Sequence, residues 1–301
     1  MDSRSLAYLS NNLVYCALAV FAIVFLLHAI ETAWAVKSGE GRNLDREKTE
    51  RIARNATGLM VLADLILLAA LVARGLSASR FPLANMYEFS ITGAFIFVTA
   101  YLVALRKFDL RWLGLVVAIG ALLTLGTAIT LLYVESAPLV PALKSPWLLI
   151  HVLAAIISGG IFLLANLLAA AYLVLEKIER RKDGKHGKGR GAWSSRLPSL
   201  DSLDQLTYRL IALVFPIWTF SIIAGAIWAE AAWGRYWGWD PKETWAFITW
   251  VAYAAYLHAR VTAGWKGKKA AWLCLIAGST FLFNYVYVNI WGTGKHTYSG
   301  L

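Results

Sequence analysis

The sequence predicts an all-α protein, a polytopic bundle of about eight membrane-spanning helices with both termini outside the cytoplasm. Of its 301 residues, 59% are hydrophobic and only 16% are charged, whereas soluble domains carry about a quarter charged residues. The apolar residues fall into runs of about twenty, the length that a helix needs to cross a hydrocarbon core about 30 Å thick. The sequence lacks the ten-residue alternation that is typical of membrane β-barrel strands.

The apolar runs and the basic residues between them predict the topology. The predicted spans are 11–36, 55–75, 87–105, 113–134, 147–175, 208–229, 245–261 and 270–291. Cytoplasmic connections are enriched in Lys and Arg. With the N-terminus outside, the cytoplasmic connections hold 22 of the 29 Lys and Arg residues, so both termini are expected on the non-cytoplasmic face. The net charge of +11 then reflects topology, and nucleic-acid binding is not expected.

The connections contain no stretch that predicts a soluble domain, so residues 1–301 are expected to form a single transmembrane domain. The segment 177–207 is basic and rich in Gly and Ser, which predicts a disordered cytoplasmic loop with His186 as a solvated residue. The segment 229–244 is expected to form a loop on the outer face.

This outer loop and the start of the following span carry the sequence WGRYWGWDPKETW, residues 233–245, which we call the tryptophan loop. Asp240, Pro241 and Glu243 fit a capping box that begins span seven. Tryptophans also gather at membrane interfaces without any functional role, a reading that covers Trp245. That reading does not account for Trp233, Trp237 and Trp239 in a loop with two glycines. Indole rings offer wide apolar faces with one donor each, so these three residues favour a platform for a planar ligand.

Two histidines bracket the tryptophan loop in sequence and are predicted on the same side of the membrane. His151 lies near the outer end of span five, and small residues follow it on one helical face: Ala154, Ala155, Ser158 and Gly159. Those small residues leave room beside an imidazole, although tight helix packing uses the same residue types. His296 lies in the outward tail WGTGKHTYSGL and is either a ligand or an idle tail residue.

Two imidazoles beside an aromatic surface form the axial-ligand arrangement of haem iron. Haem also carries two propionates, which require cations. Four of the seven outer cations are predicted near this site: Lys144, Arg235, Lys242 and Lys295. Lys and Arg are normally enriched on the cytoplasmic side, so their presence on the outer face favours an anionic ligand there.

Two further histidines are predicted inside the membrane, where ionisable groups are functional candidates. His258 is thirteen residues into span seven, about 20 Å below the outer face. His28 in span one is predicted at a similar depth. Asp64 in span two could hydrogen-bond an imidazole there, so His28 is either a haem ligand or a histidine packed against Asp64.

Taken together, five separated motifs resemble the CcsA/ResC type of protein, the membrane subunit of the system II cytochrome c synthase. The tryptophan loop resembles the WWD motif of haem-handling proteins. The other motifs are PLANMYEFS at 82–90, KSPWLLIHV at 144–152, YLHAR at 256–260 and WGTGKHTYSG at 291–300. The resemblance runs from about residue 50 to the C-terminus.

The resemblance implies that His151 and His296 ligate haem iron at the outer face and that the tryptophan loop is the haem platform. The candidate haem contacts in this loop are Trp233, Arg235, Trp237, Trp239, Asp240, Lys242 and Trp245. It implies that His258 ligates haem b inside the membrane and that the second intramembrane histidine comes from a CcsB/ResB-type partner subunit, which leaves His28 in doubt. The implied reaction joins haem vinyl groups to the two thiols of a Cys-x-x-Cys-His segment of apocytochrome c. It would take place on the non-cytoplasmic face of a cell membrane or a thylakoid-like membrane, in contact with lipid.

Two other classes of function stay open at the level of sequence. A b-type electron-transfer protein would hold haem between His258 and His28 and would need no tryptophan loop. A haem transporter without a synthase role is a further alternative, as is a transporter without bound haem. Broken helices near the membrane midplane would favour the transporter without bound haem. The Gly and Pro interruptions in this chain cluster instead at the ends of spans.

Overall fold

The computed structural model describes residues 2–37, 43–137, 144–183, 198–292 and 294. All regular structure in these ranges is helical, which confirms the predicted all-α class. The elements are α1 (Ser3–Lys37), α2 (Asn43–Ala78), α3 (Met86–Ala104), a 3₁₀ turn (Arg111–Leu113), α4 (Gly114–Leu131), α5 (Pro146–Asp183), α6 (Leu200–Trp233), α7 (Pro241–Val261) and α8 (Lys268–Trp291).

Seven helices within the described ranges are long and apolar enough to cross a membrane. α7 falls outside that group because polar residues occupy its ends, among them Lys242, Glu243 and Arg260. Its 21 residues still give a length of about 30 Å, enough for one crossing. The chain is a multi-pass membrane protein, and α7 completes the predicted set of eight helices.

Successive helices run in opposite directions. The Ser10 hydroxyl near the start of α1 donates to the Ala70 carbonyl near the end of α2 at 2.8 Å. The Ser90 hydroxyl in α3 lies 2.9 Å from the Tyr285 hydroxyl near the end of α8. Lys242, just after residues 234–240, donates to the Asn284 carbonyl and the Asn289 side chain near the end of α8. Residues 79–85, residues 234–240 and the end of α8 therefore lie at one end of the bundle, which we call the tryptophan face. That this face lies outside the cytoplasm stays a prediction from the charge distribution.

The predicted cytoplasmic loop 177–207 is shorter than expected. α5 continues to Asp183, and α6 begins at Leu200 after Ser199, whose side chain accepts the N–H of Ser202. Residues 184–197, including His186, lie outside the described residues. The polar end of α5 stays helical because residues four apart pair along it, as in the 2.7 Å ion pair between Arg180 and Glu176.

α5 lies at the centre of the half of the bundle that carries the tryptophan loop, and it packs against α3, α6 and α8. Just beneath the tryptophan face, Leu148 of α5 and Trp228 of α6 form a small buried cluster. Ala84, Trp147, Val152, Ala232 and Trp233 pack against that pair. This cluster forms part of the wall of the site described next.

Candidate functional site

The loop between α6 and α7 is shorter than the predicted 229–244 and contains only residues 234–240. α6 continues through Trp233 and ends where Gly234 adopts a left-handed φ of 69°. The Gly234 N–H donates to the Glu230 carbonyl at 2.7 Å, which satisfies a carbonyl in the last turn. Glycine is favoured here because a left-handed conformation costs it little.

The predicted capping box at the start of α7 is confirmed. The Asp240 carboxylate accepts the N–H of Lys242 at 2.9 Å, and Pro241 takes the first helical position. Glu243 Oε2 accepts the N–H of Asp240 at 3.1 Å and that of Gly238 at 2.8 Å. These last two bonds hold the backbone on both sides of Trp239.

The three loop tryptophans occupy different environments. Trp233 packs its ring on Trp228 of the same helix at a centroid distance of 4.8 Å. Trp237 lies edge-on to Trp239 at 5.8 Å. Trp239 is 69% exposed and has a φ of 57°, a conformation that costs a non-glycine residue roughly 1–2 kcal/mol. The Glu243 bonds flank this strained residue and hold it in place.

Trp245, also a candidate haem contact, packs between two helices. Its ring lies 4.1 Å from that of Phe283, which joins the first turns of α7 to α8. Trp245 does not line the cavity described below.

A cavity of about 150 Å³ lies beneath the loop, among α3, α5, α6, α7 and α8. Aromatic and aliphatic side chains form most of its lining, and a few polar groups interrupt them. The main lining residues are Leu83, Met86, Phe89, Leu148, His151, Val152, Trp218, Gly225, Trp228, Trp237, Lys242, Glu243, Phe281, Asn284 and Asn289. Three buried polar atoms from this set make no hydrogen bond within the described ranges: Trp218 Nε1, Glu243 Oε1 and Asn284 Oδ1. Such a lining suits a planar, mostly apolar ligand that has polar groups at its edge.

His151 lines this cavity, as its predicted role requires. Its Nδ1 lies 2.8 Å from the Ser221 carbonyl oxygen, which can only accept, so Nδ1 carries the proton. The lone pair is therefore on Nε2, which is the nitrogen through which this histidine can ligate a metal. The Ser221 hydroxyl also donates to the His151 carbonyl at 3.1 Å, and the imidazole stacks on Trp228 at 6.3 Å.

The imidazole is given its space mainly by Gly225 of α6, and of the four small residues expected to leave room beside it, Ala155 lines the cavity. A methyl group built at Gly225 would lie 2.7 Å from His151 Nδ1, so only glycine fits there. Gly159, which was expected to leave this room, packs instead against the Phe281 ring of α8. Ser158 is buried within the bundle.

The three predicted cations that lie within the described residues do not converge. Lys242 lines the cavity, and its Nζ donates to the Asn289 side chain at 2.8 Å and to the Asn284 carbonyl at 3.2 Å. Arg235 folds its guanidinium over Gly238, and Lys144 is exposed; neither lines the cavity. Lys295 and His296 lie outside the described residues.

The predicted pairing of His28 with Asp64 is wrong. His28 is buried, its Nδ1 lies 2.8 Å from Glu31 Oε2, and its ring packs against the backbone of Gly114. Asp64 accepts a hydrogen bond from the Thr99 hydroxyl at 2.8 Å. The two residues have similar depths but point to different neighbours, because depth does not fix the direction of a side chain around a helix.

His258 lies closer to the opposite end of the bundle than predicted. It is on the last turn of α7, about 25 Å along the helix from Pro241. Its side chain is exposed on the bundle surface, with Nδ1 3.3 Å from the Thr262 hydroxyl. α7 packs against α6 and α8, whereas α1, which carries His28, packs against α2 and α4. The arrangement therefore gives no support to an electron-transfer haem held between His28 and His258.

Sequence reasoning missed a buried charge cluster beside the cavity. Glu88 Oε1 accepts from Arg74 Nε at 3.0 Å, and its Oε2 accepts from an Arg80 guanidinium nitrogen at 2.7 Å. Oε2 also accepts the N–H of Ala84 at 2.9 Å. Arg74 donates further to the Val134 carbonyl at 2.6 Å. The signal in the sequence was an arginine at the end of an apolar span, followed by a glutamate in the motif PLANMYEFS.

Different environments for the loop tryptophans predict different effects of their loss. Trp237→Ala removes part of the cavity wall and is expected to lower the affinity for the bound ligand about fivefold or more, since an aromatic contact contributes about 1 kcal/mol beyond its area. Trp239 does not line the cavity, so Trp239→Ala is expected to lower the affinity less. Ligand titration of both purified variants measures this, with Trp245→Phe as the control. Equal losses for both would contradict the placement of Trp237 in the wall.

The fold and the site define a multi-pass helical membrane protein with an aromatic, histidine-bearing cavity at one face. Residues 83–296 match the family model of the cytochrome C assembly protein. The chain belongs to this family, which confirms the membership that the five motifs suggested.

Its curated relatives include cytochrome c biogenesis proteins CcsA. The CcsA of Synechocystis sp. is 35% identical over 295 residues, covering 82% of this chain and 88% of the relative. The CcsA of Guillardia theta is 35% identical, covering 97% of this chain and 96% of the relative. The CcsA of Chlamydomonas reinhardtii is 38% identical, covering 80% and 67%. Among solved structures, the cytochrome c haem lyase CcmF shares the fold, with a TM-score of 0.63 at 19% identity over 95% of this chain and 50% of that one.

Proposed function

We propose that this protein binds haem b as a substrate beneath the tryptophan loop and presents it for attachment to apocytochrome c. The observation that carries the proposal is His151, whose Nδ1 is bonded to the Ser221 carbonyl inside a largely aromatic cavity. That bond leaves Nε2 as the basic nitrogen, which ligation of haem iron requires. The names of the CcsA relatives support a role in cytochrome c maturation.

The second axial ligand in this proposal is His296. Gly294, the last described residue, packs against the Asp240 carboxylate, and a side chain at 294 would overlap that carboxylate. The chain therefore approaches the tryptophan loop two residues before His296. Asp240 thus has a role besides capping α7, because it also receives the tail that carries the proposed ligand.

The tryptophan loop forms the platform in this proposal, and basic groups meet the propionates. Trp237 contributes a wall of the cavity, while Trp233 supports it through Trp228. Lys242 is the cation that lines the cavity, and Arg235 and Lys144 lie further from it.

The reaction proposed for the bound substrate is thioether formation. Each cysteine thiol of a Cys-x-x-Cys-His segment loses its proton, its sulfur bonds to the vinyl carbon next to the porphyrin ring, and a proton adds to the outer vinyl carbon. This addition involves no net oxidation or reduction. The chain contributes iron ligation, orientation and exclusion of water, and the tryptophan face is taken to lie outside the cytoplasm.

A CcsB/ResB-type partner subunit is part of the proposal because His258 is exposed on the bundle surface. An imidazole there can ligate haem only if the second ligand and much of the pocket come from another chain. His28 is not assigned to haem, since its ring is packed against Gly114.

The experiment that tests the proposed function is absorption spectroscopy of the protein purified from membranes together with its partner. We expect haem to copurify with the protein and, when the iron is reduced, to show the absorption spectrum of haem ligated by two imidazoles. His258→Ala should lower the amount of haem, at the outer site as well, because haem would pass His258 on the way outward. Protein that carries no haem under any condition would refute the proposal. A His258 variant with full haem content but no maturation would place His258 at a later step.

A further inference from the structure

His258 and His151, two of the proposed haem ligands, lie on different sides of the helix wall. His258 is exposed on the surface of α7, on one helical stripe with the exposed side chains of Phe247 and Val251. His151 lines the cavity inside the bundle. Ala246, which also lines the cavity, is about 18 Å from His258 along α7. Haem that passes from His258 to His151 must therefore enter the bundle between two helices.

The core of the bundle between the cavity and the opposite end is closed by aromatic side chains. Phe162 and Tyr253 are fully buried, and their rings stack in parallel with centres 3.8 Å apart. Trp218 and Phe281, which line the cavity, each meet Phe162 edge-on at 6.0 Å. Such dense packing leaves no room for a porphyrin ring. The route from His258 to the cavity therefore follows the outer surface of the bundle and not its core.

The seam between α6 and α7 carries small side chains at the level of the cavity. Within the described residues, the hydrogen bond between these helices that lies nearest the cavity joins the Trp250 indole to the Thr219 hydroxyl at 2.9 Å. Ala226 of α6 and Ala246 of α7 continue the same helical stripes toward the tryptophan face, and both line the cavity. Little side-chain volume therefore separates the cavity from the outer surface at these two alanines.

The neighbouring seams are held more firmly. α5 and α6 are joined by the hydrogen bonds between Ser221 and His151, and α7 and α8 by the bond from Lys242 to the Asn284 carbonyl. α6 also packs less closely against α7 than against α5. The seam between α6 and α7 is therefore the wall of the cavity that parts most easily.

Three aromatic side chains line this seam on its outer side, and we call them the aromatic track. The exposed Phe247 ring lies parallel to that of Trp250 at 6.0 Å and meets Trp237 edge-on at 6.5 Å. Trp237 lines the cavity, whereas Trp250 lies nearer to His258 along α7. The track thus leads from the exposed stripe of α7 to the cavity. Wide aromatic faces offer apolar contact to a planar ligand along its whole length.

We propose that haem enters the cavity sideways, through the seam between α6 and α7 at Ala226 and Ala246, guided from His258 by the aromatic track. This inference rests on the proposed function and adds to it the route between two of its haem ligands. Side chains larger than alanine at these two positions would fill the passage.

A reversible lock across the seam tests the route. Ala226→Cys and Ala246→Cys are combined with Cys16→Ser, and the complex with the partner subunit is reconstituted in phospholipid vesicles. A bis-methanethiosulfonate reagent bridges the two thiols, and haem is supplied through the lipid. Outer-site haem is the absorbance that an otherwise identical complex with His151→Ala lacks. We expect the bridge to slow its arrival about tenfold or more and reductant to restore it, while haem at His258 persists.

A lock on the neighbouring seam is the matched control. Thr249→Cys and Thr280→Cys join α7 to α8 at positions whose hydroxyls lie 3.1 Å apart, and this bridge should leave the arrival of haem unchanged. Ala226→Leu tests the route without a bridge. It should slow arrival about tenfold but spare the final haem content, because a larger side chain obstructs passage. Ala231→Leu, exposed in the last turn of α6, should change neither quantity.

The outcomes separate the route from the proposed function. If the locked seam admits haem at the wild-type rate, haem enters elsewhere, such as at the tryptophan face, and the proposed route is wrong. The route is also refuted if both locks slow arrival equally, since the complex then needs only general flexibility. Reduced final haem content with an unchanged rate in Ala226→Leu would assign that residue to the binding site and not to a passage. If the unlocked wild-type complex binds no haem, the proposed function itself fails.

Discussion

Replacing His151 with alanine is expected to abolish cytochrome c maturation while the protein still accumulates in the membrane. Loss of a residue that only orients a metal ligand already costs about 10- to 100-fold in metal affinity, so loss of the ligand itself should exceed about 100-fold. The helix pair should survive, because the imidazole is only partly buried and α5 and α6 pack along most of their lengths. Covalent haem on the cytochrome and copurified haem on the variant measure the effect.

Imidazole added to cells that carry the His151 variant should restore part of the maturation by occupying the vacated ligand position. His186→Ala, in the basic segment between α5 and α6, is the matched histidine control and should mature cytochrome normally. If His151→Ala matures cytochrome at the wild-type rate without added imidazole, the assignment of His151 as an iron ligand is refuted.

Gly225→Ala is also expected to impair cytochrome c maturation, although His151 stays in the chain. The added methyl group would lie 2.7 Å from His151 Nδ1, which forces the ring away from the Ser221 carbonyl. Gly93→Ala in α3 is the matched control, since a methyl group there meets nothing within 4 Å. Equal maturation by the two variants would show that the position of the imidazole is not critical.

The number and order of the helices could be predicted from the sequence because each apolar run must satisfy its backbone hydrogen bonds within the membrane. The ends of the helices could not be predicted as well. Hydropathy marks where a segment enters lipid, whereas the helix ends where its capping and side-chain pairs end. The end of α5 stays helical through the pair of Arg180 and Glu176, and α6 ends at Trp233 because Gly234 takes a left-handed conformation.

Within the candidate site, the residue types were predictable, but several of their neighbours were not. His151, Trp237 and Lys242 were predicted from charge, aromaticity and membrane side, and all three line the cavity. Ser221 and Gly225, which hold the imidazole, are some 70 residues away in sequence, and no local pattern links them to His151. Of the predicted cations that the structure describes, Lys242 lines the cavity whereas Arg235 and Lys144 do not, since membrane side alone does not bring side chains together.

Glu88 is one of the residues whose role the sequence did not predict, and its substitution has the largest expected effect on the stability of the protein. Its side chain and that of Arg74 are both 0% exposed, and it receives hydrogen bonds from Arg74, Arg80 and the Ala84 backbone. Glu88→Ala would leave Arg74 as a buried charge without its carboxylate. Loss of one partner of a buried ion pair costs about 3–5 kcal/mol, so we expect the variant to melt at a much lower temperature in detergent and to accumulate poorly. Glu88→Gln keeps the shape and some hydrogen bonds, and it should fall between the alanine variant and the wild type.

Thermal unfolding of the purified variants, with Glu230→Ala as control, measures this contribution. Glu230 is exposed in the last turn of α6 at the same face, and its loss should change the unfolding temperature little, as is usual for surface substitutions. Arg74→Met together with Glu88→Leu should recover part of the stability lost by Glu88→Ala, because Arg74 is then no longer a buried charge without its carboxylate. Arg80 would also lose Glu88 but would keep its hydrogen bonds to the Phe81 and Ala137 carbonyls. That double variant would still lack the bond from Ala84 to Glu88, so residues 83–86 should lose their fixed position. If the double variant is stable but copurifies with less haem than the wild type, Glu88 serves the cavity wall as well as the fold. If Glu88→Ala melts like the wild type, the buried charge cluster does not stabilise the bundle.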